Sequence, residues 1–378
     1  MPDPSHLPSK HHQPLHMEHS ASEGSVVRAP DAVSAAPATA ATAAAGATRK
    51  RKRHSVGSTD EYEELCTLGE GGFGAVVKAR HRFTGKTVAI KRLLPDPDSD
   101  DARTAEEELL REARVHQQCD GIPSVVAFHG LLRDPATNDL CLVMECAGPS
   151  LHHLLRARRR RHPGEPLPES TVKSIMYQLL TAAKMMHERN VVHRDIKLEN
   201  VLLADDYRVL KICDFGLAMS MAEAPPYEPA GTLCHEAPEM LLEIPEYDAL
   251  VDTWSLGCVM AELITGRALF GLQGCEDAQL FAAESRPELE LEKHSHLRKR
   301  FPEEMLSEQG FEVLNGLLTC NPGKRLTAAA ALKLPWFAKV DALELPKEEV
   351  PSAVPKPKEK EPLVVPQDSA KRRKLLSA

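Results

Sequence analysis

The chain has 378 residues, 42% of them hydrophobic, and 47 Lys and Arg against 55 Asp and Glu give a formal net charge of −8; that length accommodates one large two-lobed domain or two ordinary ones. The acidic balance argues against wholesale nucleic-acid binding, and no window reaches the roughly 18 uninterrupted apolar residues that span a bilayer, so a soluble chain with no membrane partner is expected. Nine cysteines without CxxC pairs suit reduced thiols better than a disulfide framework or a zinc site.

Residues 1–58 read as a disordered tail. His6, His11, His12, His16 and His19 open it, an Ala/Thr/Pro-rich stretch runs to Thr48, and Arg49-Lys50-Arg51-Lys52-Arg53 nearly closes it. Such a composition cannot bury enough apolar surface to offset its ordering entropy. These residues hold no apolar run behind a basic start, so no secretory leader is expected.

Order is expected from about Tyr62. The stretch Leu65 to Lys78 mixes β-branched residues with glycines, and Thr87-Val88-Ala89-Ile90-Lys91 reads as a further strand after the turn Thr84-Gly85-Lys86. A charged helix follows from Ala105 to Gln118, then a short buried strand from Leu140 to Met144. Beyond Gly148 the pattern turns helical. Val172, Ile175, Met176, Leu179, Leu180, Ala183 and Met186 fall on one helical face. A second helix covers Trp254 to Thr265, and helical segments continue to Trp336. The run Arg156, Arg158, Arg159, Arg160 and Arg161 reads as a solvated loop or a dock for an acidic partner. Residues 341–378 read as a second disordered tail carrying Lys371-Arg372-Arg373-Lys374.

Three motifs carry chemistry. Gly69-Glu70-Gly71-Gly72-Phe73-Gly74-Ala75-Val76 is a GxGxxGxV pattern, whose glycines let backbone amides approach phosphates. A dinucleotide fold would open a helix at the third glycine; here Val76 and Val77 continue a strand, and Lys91 follows within Val-Ala-Ile-Lys. In His193-Arg194-Asp195-Ile196-Lys197-Leu198-Glu199-Asn200, Asp195 suits a carboxylate that orients a hydroxyl and takes its proton, and Asn200 suits an oxygen ligand for magnesium. Lys197 can balance charge on a migrating phosphoryl group. Asp214-Phe215-Gly216 supplies a second metal-binding carboxylate, and Ala237-Pro238-Glu239 follows.

With these motifs in order, the chain from Tyr62 to Phe337 resembles the eukaryotic protein kinases. The resemblance implies an α+β, two-lobed fold, with a strand-rich small lobe over 59–145, a hinge over 145–150 and a helical large lobe over 151–340. It implies transfer of the ATP γ-phosphate, with Mg2+, to serine or threonine of protein substrates. Glu112 would be the helix glutamate that pairs with Lys91, with Glu106, Glu107 and Glu108 as competing readings. Glu145 and Ala147 would form the adenine hinge behind Met144, and Leu68, Val76, Ala89, Leu202 and Cys213 the apolar sandwich around the base. Asp252 would brace the catalytic loop, and Arg325 would pair with Glu239.

Within the kinases, Val251 to Phe270 and Glu276-Asp277-Ala278-Gln279-Leu280-Phe281 are similar to the cyclin-dependent group. Val77 to His81, Leu210 to Asp214 and Pro225-Pro226-Tyr227 resemble the F-type members of grasses. That group implies a cyclin partner and substrates such as the RNA polymerase tail or cell-cycle proteins. Three departures stand against the pattern. Ala102 to Val115 lacks a PSTAIRE-like sequence, which counts against cyclin binding. Tyr227 occupies the usual activating-threonine position. Cys234-His235-Glu236 replaces Trp-Tyr-Arg, which counts against strict proline direction. A pseudokinase scaffold is the rival reading, opposed by the presence of Lys91, Asp195, Asn200 and Asp214. A nucleic-acid adaptor is opposed by basic tracts without interleaved aromatics. The two basic runs predict nuclear import.

Overall fold

The computed structural model describes residues 56–71, 74–93, 102–204, 207–225, 227–228, 230–270 and 296–345. Six strands form one sheet: β1 (Gly57–Ser58), β2 (Tyr62–Gly71), β3 (Gly74–His81), β4 (Thr87–Arg92), β5 (Phe128–Arg133) and β6 (Leu140–Glu145), in the order β1-β5-β6-β4-β3-β2. The expected strand Leu65 to Lys78 is thus two antiparallel strands, β2 and β3. The turn after β3 closes because the His81 ring accepts from the Phe83 and Thr84 amides, at 3.3 and 3.1 Å. Gly85 there takes a φ of 71°, in the left-handed region that glycine tolerates.

Helix α1 (Ala102–Gln118) crosses behind β5 and β6. Its buried stripe runs through Leu109, Glu112, Ala113 and His116, the i, i+3, i+4, i+7 spacing of one helical face.

The second lobe is helical, with α2 (Leu151–Arg161), α3 (Glu169–His187), α4 (Pro238–Leu241), α5 (Leu250–Thr265), α6 (Glu308–Leu317) and α7 (Ala328–Ala331). Ser150 caps α2 by accepting from the His153 amide at 3.2 Å. The arginine run is not a loop but the last turns of α2, because Leu151, Leu154 and Leu155 anchor that helix in the core. Helix α5 is buried from Val251 to Ile264 and lies against α3 and α6; a helix apolar on all sides belongs at the centre of a domain. Gly266, with φ 73°, ends it. The result is the expected two-lobed α+β architecture.

Order extends past both expected boundaries. Gly57 and Ser58 pair in parallel with Leu132 and Arg133, although a two-residue strand has no periodicity to read. At the other end Leu343 and Leu345 are packed into the large-lobe core, and the Asp341 carbonyl accepts from Ser174 Oγ at 3.0 Å. Residues 1–55 and 346–378, including both basic runs, lie outside the described residues, as do Gly72, Phe73, Pro226 and the Glu276 to Phe281 phrase. Among the described residues no helix is long and apolar enough to cross a membrane.

Candidate active site

Strand β4 carries Lys91 between Val76 on β3 and Leu142 on β6. Its ammonium donates to both oxygens of Glu112 at 2.9 Å and to Asp214 Oδ1 at 2.8 Å. The open choice among the α1 glutamates is thereby resolved. Glu106 turns to Arg133 at 2.8 Å, and Glu107 and Glu108 are exposed. Burial alone would lower Lys91, but the charges of Glu112 and Asp214 outweigh it and hold the ammonium above its ordinary range. Asp214 moves the other way: burial would raise its carboxyl, and the Lys91 charge pulls it below the usual range. Gly216 leaves room for this cluster, since a Cβ there would lie 3.3 Å from Lys91 Nζ and 3.4 Å from Asp214 Oδ1.

The second cluster centres on Asp195. Its Oδ2 accepts from Asn200 Nδ2 at 2.9 Å and pairs with Lys197 at 2.8 Å, and its Oδ1 accepts from the Thr232 hydroxyl at 2.7 Å. Lys197 also donates to Thr232 Oγ1 at 2.8 Å. Asp195 is therefore a carboxylate fixed by three side chains. The Asn200 carbonyl accepts from the Cys213 amide at 3.0 Å, which brings the Asn200 loop beside Asp214.

Helix α5 supports this loop from beneath. Fully buried Asp252 accepts from the His193 and Arg194 amides, at 2.9 and 2.8 Å, and from the His187 ring at 2.9 Å. Burial would raise its carboxyl, and the His187 bond and charge reverse that and hold it low. These bonds secure Arg194 at a φ of 66°, a left-handed conformation that a non-glycine residue adopts only under such constraint. Arg325 reaches Glu239 with both terminal nitrogens, at 2.6 and 2.8 Å.

Between the lobes, Val76, Ala89, Met144, Ala147, Leu202 and Cys213 belong to one apolar cluster. Leu68 stands outside it and is 44% exposed. Gly69, Glu70 and Gly71 pair with Val76, Ala75 and Gly74 in the β2–β3 ladder. The Glu145 side chain accepts from Lys211 at 3.0 Å and from the Ala127 amide at 3.0 Å, so it braces the hinge. Among the described residues no group of three His, Cys, Asp or Glu side chains forms a metal site. The candidate donors are the Asp214 carboxylate and the Asn200 amide oxygen.

Three residues that sequence reasoning did not single out for the site belong to it. Thr232 bridges Asp195 and Lys197. His116 stacks on Phe215, with ring centroids 4.6 Å apart and planes at 7°. Tyr247 accepts from Arg194 Nη1 at 2.8 Å. Arg194 also donates to the Leu217 and Glu228 carbonyls, at 2.7 and 3.1 Å. Protein acceptors thus occupy the Arg194 guanidinium.

A fixed carboxylate beside a lysine, facing a lysine–carboxylate cluster across an apolar cleft, is equipped for phosphoryl transfer. Residues 62–337 match the protein kinase domain family. The chain belongs to that family.

Its relatives include cyclin-dependent kinases and, at 30% identity, mitogen-activated protein kinases. A putative cyclin-dependent kinase F-2 of Oryza sativa subsp. japonica is 43% identical over 75% of this chain and 91% of its own length. Cyclin-dependent kinase G1 of Arabidopsis thaliana is 35% identical over 77% of this chain, which spans 51% of that relative. Cyclin-dependent kinase B2-1 of the same plant is 32% identical over 75% of this chain and 95% of its own length. The kinase is a serine/threonine protein kinase similar to these cyclin-dependent kinases, and its family uses ATP with a divalent metal.

Proposed function

We propose that this kinase transfers the ATP γ-phosphate to serine or threonine of protein substrates with Asp195 positioning the acceptor hydroxyl and taking its proton. The observation that carries the proposal is the Asp195 carboxylate held by Lys197, Asn200 and Thr232. A group locked by three partners is pre-organised for the transition state. Lys91 grips the α- and β-phosphates, and Lys197 offsets charge on the moving phosphoryl group. The backbone of Glu145 and Ala147 receives adenine, and Leu68, Val76, Ala89 and Leu202 enclose it. Residues 69–71 and 74–76 cover the phosphates.

The metal is Mg2+, held by Asp214 and Asn200. Their donors are oxygen atoms, the hard ligands that this ion prefers, and with Asp214 Oδ1 on Lys91 the other oxygen remains to serve it. When bound, the ion neutralises charge on the triphosphate.

Asp195→Asn is expected to lower turnover about 10²- to 10⁴-fold with an unchanged melting temperature. Purified full-length protein, ATP, Mg2+ and a peptide array including RNA-polymerase-tail repeats provide the assay. Near wild-type turnover of the variant would remove Asp195 from this role, and the array identifies the substrate class.

The Lys91–Glu112 pair is made within the single chain, which supports activity without a cyclin. Nuclear residence rests on the two basic runs. Neutralising Arg49 to Arg53 together with Lys371 to Lys374 is expected to shift a fluorescent fusion to the cytoplasm, and an unchanged distribution would count against import.

A further inference from the structure

Cys234, His235 and Glu262 form a cluster that phosphoryl transfer does not use. Cys234 Sγ lies 3.2 Å from His235 Nδ1, and His235 Nε2 lies 3.7 Å from Glu262 Oε2. His235 and Glu262 are buried, whereas Cys234 retains partial exposure. The imidazole is anchored through its own backbone. The His235 amide donates to the Thr232 carbonyl at 2.7 Å, and its carbonyl accepts from Ser255 Oγ at 2.8 Å. A thiol, an imidazole and a carboxylate therefore stand in file, with the thiol at the accessible end. That is the arrangement of an activated nucleophile, its proton acceptor and the group that orients the acceptor.

We propose that Cys234 is a covalent modification site of this kinase for soft electrophiles and hydroperoxides, with His235 as its proton acceptor and Glu262 orienting the imidazole. With an alkyl halide, sulfur displaces halide as the S–C bond forms, and the thiol proton stays on His235. With a hydroperoxide, sulfur attacks the terminal oxygen and the O–O bond breaks. Sulfur is oxidised by two electrons to the sulfenic acid, the peroxide is reduced, and the proton held on His235 leaves with the departing oxygen as water or alcohol.

The surroundings favour a charged imidazole. Burial would lower it, but the bonds to Cys234 and Glu262 prevail and raise it to about 9. The other ionisable groups packed nearby are Glu236 on the same segment, Cys258 on α5, and Arg159 on α2, which reaches Glu262 at 3.9 Å. Burial pushes the Cys119 thiol up to about 12, and Cys213 and Cys258 well above the ordinary range, so these three are held in the unreactive form.

Position gives the modification a consequence. Cys234 stands two residues after Thr232, whose hydroxyl bonds Asp195. An adduct there crowds the segment beside the phosphate acceptor and leaves the Lys91 side of the cleft untouched. This consequence rests on the residue roles proposed above, whereas the chemistry at sulfur does not.

The test uses the full-length kinase with iodoacetamide and, separately, hydrogen peroxide, read by peptide mass mapping. Cys234 is expected to be alkylated first, about tenfold or more faster than glutathione at pH about 7. His235→Gln is expected to slow this alkylation about tenfold, and a comparison of Cys234 with the partly exposed Cys66 in the same wild-type protein needs no variant to fold. Alkylation of Cys234 no faster than that of glutathione, or no faster than that of Cys66, would overturn the assignment. Modified wild-type kinase is expected to lose peptide phosphorylation while still binding ATP, and Cys234→Ser is expected to keep the activity of its own untreated control. Unchanged phosphorylation by the modified wild type would overturn the regulatory consequence.

Discussion

His116 illustrates what one side chain contributes and why it escapes a linear reading. Its Nε2 bonds the Val126 carbonyl at 2.7 Å, Phe215 lies flat on its ring, and Phe128 meets it edge-on at 5.5 Å. Burial lowers the imidazolium from 6.5 to about 4. The unfolded chain therefore takes up this proton first as pH falls. The associated stability is fully present above about 6.5 and is lost on descending towards about 4, at most about 3 kcal/mol. Urea midpoints from pH about 7 to about 4.5 are expected to fall more steeply in wild type than in His116→Leu; parallel slopes would remove His116 as the cause. In a helix as charged as α1, a histidine reads as surface. The signal that would have placed it inside was the stripe Leu109, Glu112, Ala113, His116, and the same stripe distinguishes Glu112 from its three neighbours. Asp195, Asn200, Asp214 and Lys91 were legible because phosphoryl transfer restricts residue type within short motifs. Thr232 was not, since its role arises only when the segment after Asp214 folds back over the catalytic loop.

That segment is the element on which regulation turns. It runs from Asp214 to Glu239 without a threonine before Gly231, and its order comes from aromatic and backbone contacts. The Tyr227 ring packs on Tyr247 with centroids 5.4 Å apart, its hydroxyl donates to the Glu223 carbonyl at 2.8 Å, and its amide donates to the Pro245 carbonyl at 2.9 Å. Arg194, committed to two carbonyls and Tyr247, needs no phosphate to hold it. Phosphate-free protein from bacteria is therefore expected to be active. Tyr227→Phe loses one hydrogen bond and keeps the ring contact, so its activity should stay within about twofold. Tyr227→Ala loses an aromatic pair of about 0.5–1.5 kcal/mol beyond its area, and is expected to show faster proteolysis between Ser220 and Gly231 with lower turnover. Silence of the wild-type protein until Thr232 is phosphorylated would overturn this account. Tyr227 was visible in the sequence as a substitution; its partner Tyr247 was not, because the two are brought together by a fold-back that no periodicity encodes.

At the scale of the whole molecule, the two lobes are joined by backbone as well as by the hinge. The Val126 amide donates to the Ile212 carbonyl at 3.0 Å and the Ile212 amide to the Ser124 carbonyl at 2.9 Å, while Gly148 and Leu203 are linked at 2.7 Å. The two-lobed class was legible from strand-rich and helix-rich halves separated at Gly148. The ends were not, because Leu343 and Leu345 sit in a charged stretch and reveal themselves only by the core they touch. Burying a leucine is worth about 1.5–3 kcal/mol. A chain trimmed to residues 59–340 is accordingly expected to melt several degrees below one trimmed to 56–345. Equal melting temperatures would show that neither β1 nor these leucines support the domain.

Asp252 also imposes an order on synthesis. The carboxylate that holds the His193 and Arg194 amides stands 59 and 58 positions after them. A ribosome therefore emits the whole phosphotransfer motif well before the residue that shapes it. Until α5 has cleared the exit tunnel, the nascent chain carries every catalytic side chain without the carboxylate that fixes the catalytic turn.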